Sequence, residues 1–377
     1  MHIAVNTRLL MPGKLDGIGW FTYETLRRIV ADHPEHTFYF IFDRNYSYKV
    51  IFADNVVPVI LKPPTRHPIL WSIWFELLLP AKLKKLNADL FLSTDGFLSL
   101  RSKIPSCLVM HDINFEHRPK DLPLLTRLYH RYFYPRFARK ATRLATVSEY
   151  SRRDIINTYN VDEQKIDLVY NGASRQFFPI PESRQEEIKS QYTGGAPYFI
   201  FVGNIHPRKN IVNLLRAFDL FKDEYKGAFK LVIVGKKFFL NKAMELQLEQ
   251  MKHKDDVVFT GRLSPSDLND VMASAWALSF VPYFEGFGIP LVEAMNCEVP
   301  ILASDVTSLP EIAGDAAIYA APESPGKIRD GMIRIVREEN LRESLIEKGR
   351  ERRKLYSWDN TAHELWKTIE KVLAEHA

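Results

Sequence analysis

The sequence predicts an α/β fold made of two doubly wound, parallel-sheet domains, and three observations carry that prediction. Short apolar runs alternate with longer amphipathic or charged stretches along the whole chain, the pattern of βαβ units. The chain has 377 residues, which at roughly 150 residues per domain gives room for two cores. The alternation breaks once, after Asn171, in a polar and Pro-rich stretch (NGASRQFFPIPESRQ) with the composition of an interdomain connection.

In the first half, strands are expected at His2–Asn6, Thr37–Phe42, Val56–Leu61, Leu90–Ser93, Ser106–His111, Leu144–Val147 and Lys165–Val169. Helical stretches between them include Gly19–His33, Leu70–Lys85, Pro123–Ala141 and Glu149–Tyr159. A second series has strands at Tyr198–Gly203, Lys230–Val234, Val257–Thr260, Ala277–Phe280, Ile301–Ala303 and Ala317–Ala320, each leading into a helix. The domains are therefore set at residues 1–172 and 173–357. Ligands of such sheets bind beyond the carboxyl ends of the strands.

Composition narrows the class. Apolar residues make up 46% and charged residues 26%, which excludes a disordered or collagen-like chain. The net charge is +5, too small an excess to imply nucleic acid by itself. Cys107 and Cys297 lie far apart in apolar surroundings, so neither a disulfide framework nor a cysteine metal site is expected, and a reducing, cytoplasmic compartment fits. Met1–Leu10 reads as a strand rather than a signal peptide, and no apolar run approaches the roughly 18 residues of a membrane span.

Two segments carry the chemistry. Tyr198–Phe218 (YFIFVGNIHPRKNIVNLLRAF) is a strand, a glycine-containing turn, the cations Arg208 and Lys209, and a helix starting after Asn210. Backbone N–H groups at a helix start, with two cations beside them, suit a diphosphate; the plain alternative is two solvated charges on a loop. In Pro282–Gly314, Glu285 and Glu293 have seven residues between them, with Gly286 and Gly288 permitting close backbone approach and Pro290 opening a helix. Such carboxylates could hold two hydroxyl clusters of one extended ligand; otherwise Glu285 is a loop carboxylate and Glu293 a first-turn dipole partner.

The combination of GNIHPRKN, FVPYFEGFGIPLVEAMNCEVPILASD and SLPEIAGDAA closely resembles the retaining nucleotide-sugar glycosyltransferases of family 4, with the GT-B fold, and the resemblance spans essentially the whole chain. It implies two Rossmann-like domains facing a deep cleft, the donor mainly in the C-terminal one and the acceptor mainly in the N-terminal one. It also implies that the last helix, residues 358–377, crosses back to the N-terminal domain. Arg208 and Lys209 match the pair that neutralises the donor diphosphate. Glu293 matches the residue that accepts hydrogen bonds from the ribose, and Glu285 the residue near the transferred sugar. Gly286, Phe287, Gly288 and Ile289 match the loop approaching sugar and phosphate. Gly203 and Gly235 occupy strand-end glycine positions, and Thr260–Leu263 resembles the loop over the nucleobase.

In the N-terminal half, Gly17 and Gly19 (DGIGWFTYETL) stand directly before a helix and resemble the glycine loop facing the donor phosphates; the plain alternative is a capped turn. His111, at a strand end, resembles a position near the donor sugar, against the alternative of a buried histidine with a local hydrogen bond. Ser148 reads as a helix N-cap. Ten Lys or Arg lie between Arg118 and Arg153 against Asp121 and Glu149, with Tyr129, Tyr132, Phe133, Tyr134 and Phe137 interleaved. No nucleic-acid motif accompanies them, and the resemblance implies an anionic membrane surface or a pyrophosphate-linked lipid acceptor as the better partner. His67–Lys85 is a second candidate contact, although a core helix accounts for it as well.

The resemblance thus implies a retaining, metal-independent hexosyltransferase in the cytoplasm, peripheral on the inner membrane face, acting on a lipid-linked oligosaccharide in polysaccharide or lipopolysaccharide biosynthesis. The stretch SDVTSLPEIAGDAA is similar to bacterial O-antigen mannosyltransferases and favours GDP-mannose; UDP-glucose, UDP-galactose and UDP-N-acetylglucosamine stay open. No cofactor or metal ligand is expected. Front-side substitution and double displacement both stay open. The rivals are a sugar phosphorylase or epimerase on the same fold, a noncatalytic sugar-binding homologue, and a nucleic-acid-binding protein.

Overall fold

The computed structural model describes residues 1–11, 13, 15–235 and 242–375. The chain divides into two compact units, Met1–Gly172 with Trp358–Ala377, and Ala173–Ser357.

The first unit runs β1 (His2–Asn6), α1 (Gly17–Asp32), β2 (Thr37–Phe42), β3 (Val56–Ile60), α2 (Pro68–Ile73), α3 (Leu79–Lys85), β4 (Leu90–Ser93), β5 (Ser106–Val109), α4 (Asn114–His117), α5 (Leu124–Lys140), β6 (Arg143–Thr146), α6 (Glu149–Tyr159) and β7 (Ile166–Leu168). Its strands form one parallel sheet in the order β3-β2-β1-β4-β5-β6-β7. The central strands β4 and β5 are buried along their whole length, as runs of apolar residues covered on both faces should be. The strand order reverses between β1 and β4, where a doubly wound sheet opens a crevice.

The expected helix Leu70–Lys85 is broken. Pro80 has no N–H to offer the carbonyl of Glu76, so the chain widens into a π turn over Trp74–Leu78, where the Leu79 amide reaches back to the Trp74 carbonyl. The detour buries Trp74, Phe75, Leu79 and Leu83 in the core and leaves no residue of α2 buried. Other expectations shift at their ends. Strand β5 stops at Val109, two residues before His111. Gly17 and Gly19 lie inside the first turn of α1 rather than ahead of it, because Asp16 caps the helix by accepting the Gly19 amide at 3.1 Å. Ser148 caps α6 by accepting the Ser151 amide at 3.0 Å.

The second unit continues with α7 (Glu182–Thr193), β8 (Tyr198–Val202), α8 (Ile211–Glu224), β9 (Lys230–Val234), α9 (Lys242–Gln250), β10 (Val257–Gly261), α10 (Pro265–Ala273), β11 (Ala277–Phe280), α11 (Ile289–Asn296), β12 (Ile301–Ser304), α12 (Leu309–Ala313), β13 (Ala317–Ala320), α13 (Pro325–Arg337) and α14 (Leu341–Arg352). Its parallel sheet has the order β10-β9-β8-β11-β12-β13, so the reversal falls between β8 and β11. Strand β10 includes Thr260, as the expected strand Val257–Thr260 does, and runs on to Gly261 within the stretch Thr260–Leu263.

The last helix, α15 (Trp358–Ala374), belongs to the first unit. Its apolar row, Leu365, Trp366, Ile369 and Val372, is buried. Trp366 stacks on His33 at 3.6 Å, the Thr361 hydroxyl donates to the Tyr170 carbonyl at 2.7 Å, and Arg28 pairs with Asp359 at 2.5 Å.

Candidate functional site

The two segments singled out in the second half leave the carboxyl ends of β8 and β11, the pair between which the sheet reverses direction. At the end of β8 the Gly203 amide donates to the Val234 carbonyl, and at the end of β9 the Gly235 amide donates to Gly261, both at 3.0 Å. A Cβ on Gly235 would lie 1.9 Å from the Gly203 carbonyl oxygen, so the two strand ends approach this closely only because position 235 is glycine. Pro207–Lys209 then forms a single 3₁₀ turn capped by the His206 ring, and Asn210, in the left-handed conformation with φ of 58°, starts α8. The Asn210 amide group donates to the Val281 and Pro322 carbonyls at 2.9 and 2.7 Å, tying this turn to the loop after β11.

Arg208, Lys209 and Glu285 meet in one cluster, with Glu285 buried and the two cations half-buried. Arg208 donates from Nη1 to Glu285 Oε1 at 2.9 Å and to the Phe284 carbonyl at 2.6 Å, while Lys209 Nζ donates to the same Glu285 oxygen. Burial pushes the Glu285 carboxyl up, but the two cations and their hydrogen bonds outweigh it and hold Glu285 below the usual carboxylate range. Two cations against one carboxylate leave the cluster with a surplus of positive charge. Lys209 also lies 5.0 Å from the centre of the Phe280 ring.

Glu293 is placed differently. Gly288, with φ of 100°, ends the loop and α11 begins at Ile289, so Glu293 stands in the second helical turn and the expectation of a first-turn dipole partner does not hold. Among the described residues its carboxylate has no hydrogen-bond or ion-pair partner, and burial alone pushes its carboxyl up to about 8. Gly286, Phe287 and Gly288 are buried and Ile289 is half-buried; Phe287 packs edge-on against Tyr356 at 5.5 Å. Leu263, half-buried, lies between β10 and α10.

His111, Gly17 and Gly19 belong to the first unit. There the Thr22 and Thr94 hydroxyls lie 2.8 Å apart, and the Thr94 carbonyl accepts from His111 Nε2 at 2.9 Å. A carbonyl can only accept, so Nε2 carries the ring proton. Burial lowers the His111 pKa against the opposing pull of that hydrogen bond, and the ring of Phe21 meets it edge-on at 4.8 Å. The local hydrogen bond named as the plain alternative is therefore present. The Gly19 amide is already taken by Asp16, so this glycine cannot also offer that N–H to an anion.

Sequence reasoning passed over the hydroxyls that hold the Glu285 loop. Ser304 donates to the Pro282 carbonyl at 2.8 Å, Thr307 accepts the Glu285 amide at 3.2 Å, and Ser308 donates to the Glu285 carbonyl at 2.9 Å. They act some twenty residues from their targets, where no spacing rule of a helix or strand points.

The chain folds as two Rossmann-like units, each with a doubly wound parallel sheet. Family models match on both sides of the connection: Glycosyltransferase Family 4 over residues 15–177, and Glycosyl transferases group 1 over residues 183–352. The chain belongs to glycosyltransferase family 4. It is similar to the O-antigen chain mannosyltransferase B of Escherichia coli, 29% identical over 58% of this chain and 57% of that protein. It is also similar to the O-antigen chain mannosyltransferase RfbU of Salmonella typhimurium, 27% identical over 74% of this chain and 73% of that protein. The chain thus spans little more than half the length of the first of these relatives. The crystal structure of Anabaena Alr3699/HepE in complex with UDP-glucose shares the fold, with a TM-score of 0.76 at 15% identity, over 98% of this chain and all of that one.

Proposed function

We propose that this chain is a retaining glycosyltransferase that moves mannose from GDP-mannose to a hydroxyl of a lipid-linked oligosaccharide or polysaccharide. The observation that carries the reading is the pairing of Arg208 and Lys209 with the buried Glu285 at the point where the sheet of the second unit reverses, with Glu293, unpartnered among the described residues, on the helix that follows. In this reading Arg208 and Lys209 take the negative charge that develops on the leaving nucleoside diphosphate, an electrostatic task that a water-poor site strengthens. Positive side chains already stand where a metal would otherwise be needed, so transfer proceeds without one. Glu293 accepts hydrogen bonds from the ribose, Glu285 lies near the transferred sugar, and the backbone of Gly286–Ile289 approaches sugar and phosphate.

Mannose is favoured by the two O-antigen relatives, both of which are named mannosyltransferases. The structural neighbour that holds UDP-glucose keeps a UDP-sugar as the second reading. Thermal stabilisation by GDP, UDP and ADP, each with and without EDTA, separates them, since a nucleotide at 100 times its Kd adds about 2.7 kcal/mol. A GDP shift that survives EDTA supports the proposal. A UDP shift replaces the donor, and no shift with any nucleotide removes the donor site.

A lipid-linked acceptor calls for a peripheral contact with an anionic membrane, and one face of the first unit supports it. Ile69, Ile73 and Leu77 are exposed at helical spacing on α2 and the π turn, as are Leu124, Leu128 and Tyr132 on α5, which packs beside α2. Arg127, Arg131, Arg136, Arg139 and Lys140 accompany them on α5, which has no acidic residue. Among the described residues no helix is long and apolar enough to cross a membrane. Sedimentation with phosphatidylglycerol-containing vesicles, in low salt but not in high salt and not with pure phosphatidylcholine, is the expected result. Equal recovery with neutral vesicles, or with none, removes the contact.

A further inference from the structure

We propose that Thr307 is a positioning residue that sets Glu285, and through it Arg208 and Lys209, for transfer; the inference rests on the reading of that cluster as the diphosphate site. Thr307 has φ of 58°, the left-handed region, where a β-branched side chain is a true outlier. Such strain persists only where surrounding contacts impose it, and it gathers at functional sites. Here the contacts are visible. The Thr307 hydroxyl donates to the Val306 carbonyl at 2.8 Å, which turns its lone pairs toward the Glu285 amide that it accepts at 3.2 Å. The next residue, Ser308, is fully buried and donates to the Glu285 carbonyl at 2.9 Å, with the Phe287 carbonyl at 3.1 Å.

Both backbone groups of Glu285 are therefore gripped by two consecutive side chains. The Glu285 carboxylate in turn receives both cations on the same oxygen, Oε1. Rotation of the Glu285 backbone would carry that oxygen away from Arg208 and Lys209 together. The strained turn at Thr307 thus fixes the direction of charges that begin about a hundred residues earlier in the chain, a coupling that neither segment shows by itself.

The test compares Thr307→Val, which keeps the shape and the branch but loses the acceptor, with Thr307→Ser, which keeps the hydroxyl. Misplacement of a group that acts in the transition state costs about 10- to 100-fold in kcat with donor KM changed by less than about threefold. Thr307→Val is expected to show that split at an unchanged Tm, and Thr307→Ser to recover to within about threefold of wild type. Ser308→Ala, which removes the other grip, is expected to repeat the kcat loss and serves if Thr307→Val does not fold. Wild-type kcat in both folded variants, or an equal loss in Thr307→Ser, overturns the proposal. If the unaltered chain releases no nucleoside diphosphate from any nucleotide sugar, the transferase reading fails first, and that result is distinct from a wild-type-like Thr307→Val.

Discussion

The loop after β11 and the helix α11 that follows it carry one glutamate each, with seven residues between them, and treat them in opposite ways. Glu285 on the loop is buried against two cations and stays ionised below the usual carboxylate range. Glu293 on the helix is desolvated with no cation near among the described residues and is pushed up to about 8. The difference arises from the turn at Gly288: before it the chain faces Arg208 and Lys209, after it the helix carries the next carboxylate away from them. Two identical side chains so separated are held in different protonation states near neutral pH. It also means that no single substitution should disturb both carboxylates alike.

The cation side of the comparison should break hardest. Lys209→Ala is expected to lower kcat about 10³-fold with the chain still folded, because removing one donor to a developing negative charge costs about that much. Initial rates of nucleoside diphosphate release and a thermal melt together check it, and wild-type turnover would take Lys209 out of the site. Glu285→Gln acts on the same cluster from the other side. It leaves Arg208 and Lys209 without their carboxylate, so transfer is expected to fall about 100-fold while nucleoside diphosphate binds more tightly, by about tenfold, because an internal competitor for both cations is gone. Titration calorimetry with the nucleoside diphosphate reads that sign directly. Weaker binding in Glu285→Gln would mean that Glu285 holds the cations in place more than it competes for them.

The same contrast shows what was legible in the residues alone. Apolar runs such as Tyr198–Val202 and Ala277–Phe280 specified buried parallel strands, and the strand-end position of Arg208 and Lys209 followed from the glycine turn and the helix after it. Periodicity could not show the π turn at Trp74–Leu78, which depends on a proline six residues beyond its start and on what the displaced rings pack against. Nor could it place Glu293 in the second turn, since the boundary at Gly288 is set by a positive φ. The pairing of Glu285 with Arg208 and Lys209 joins segments about 77 residues apart and became visible only with the sheet order. The hydroxyls of Ser304, Thr307 and Ser308 belong to that same class: each is an unremarkable residue until the loop it grips is laid across it.

The smallest expected effect belongs to Glu293, and its sign can be worked out. Its carboxyl titrates near 8 in the folded chain against an ordinary value of 4.5, so between those limits the folded state keeps a proton that the unfolded chain has lost. Stability contributed this way is complete below about pH 4.5, falls as pH rises, and is gone above about pH 8. Glu293→Gln presents a neutral group of the same shape at every pH and removes that dependence. The Tm difference between variant and wild type should therefore favour the variant increasingly from pH 5 to pH 8, by about 3 °C or more. Any difference already present at pH 5 reports packing, and only its growth reports ionisation. In transfer, Glu293→Gln is expected to raise donor KM about tenfold with kcat within about threefold, because hydrogen bonds to the ribose exist in ground and transition states alike. A pH-independent Tm difference would mean that a partner lowers the Glu293 carboxyl in solution, and the contrast between loop and helix would disappear with it.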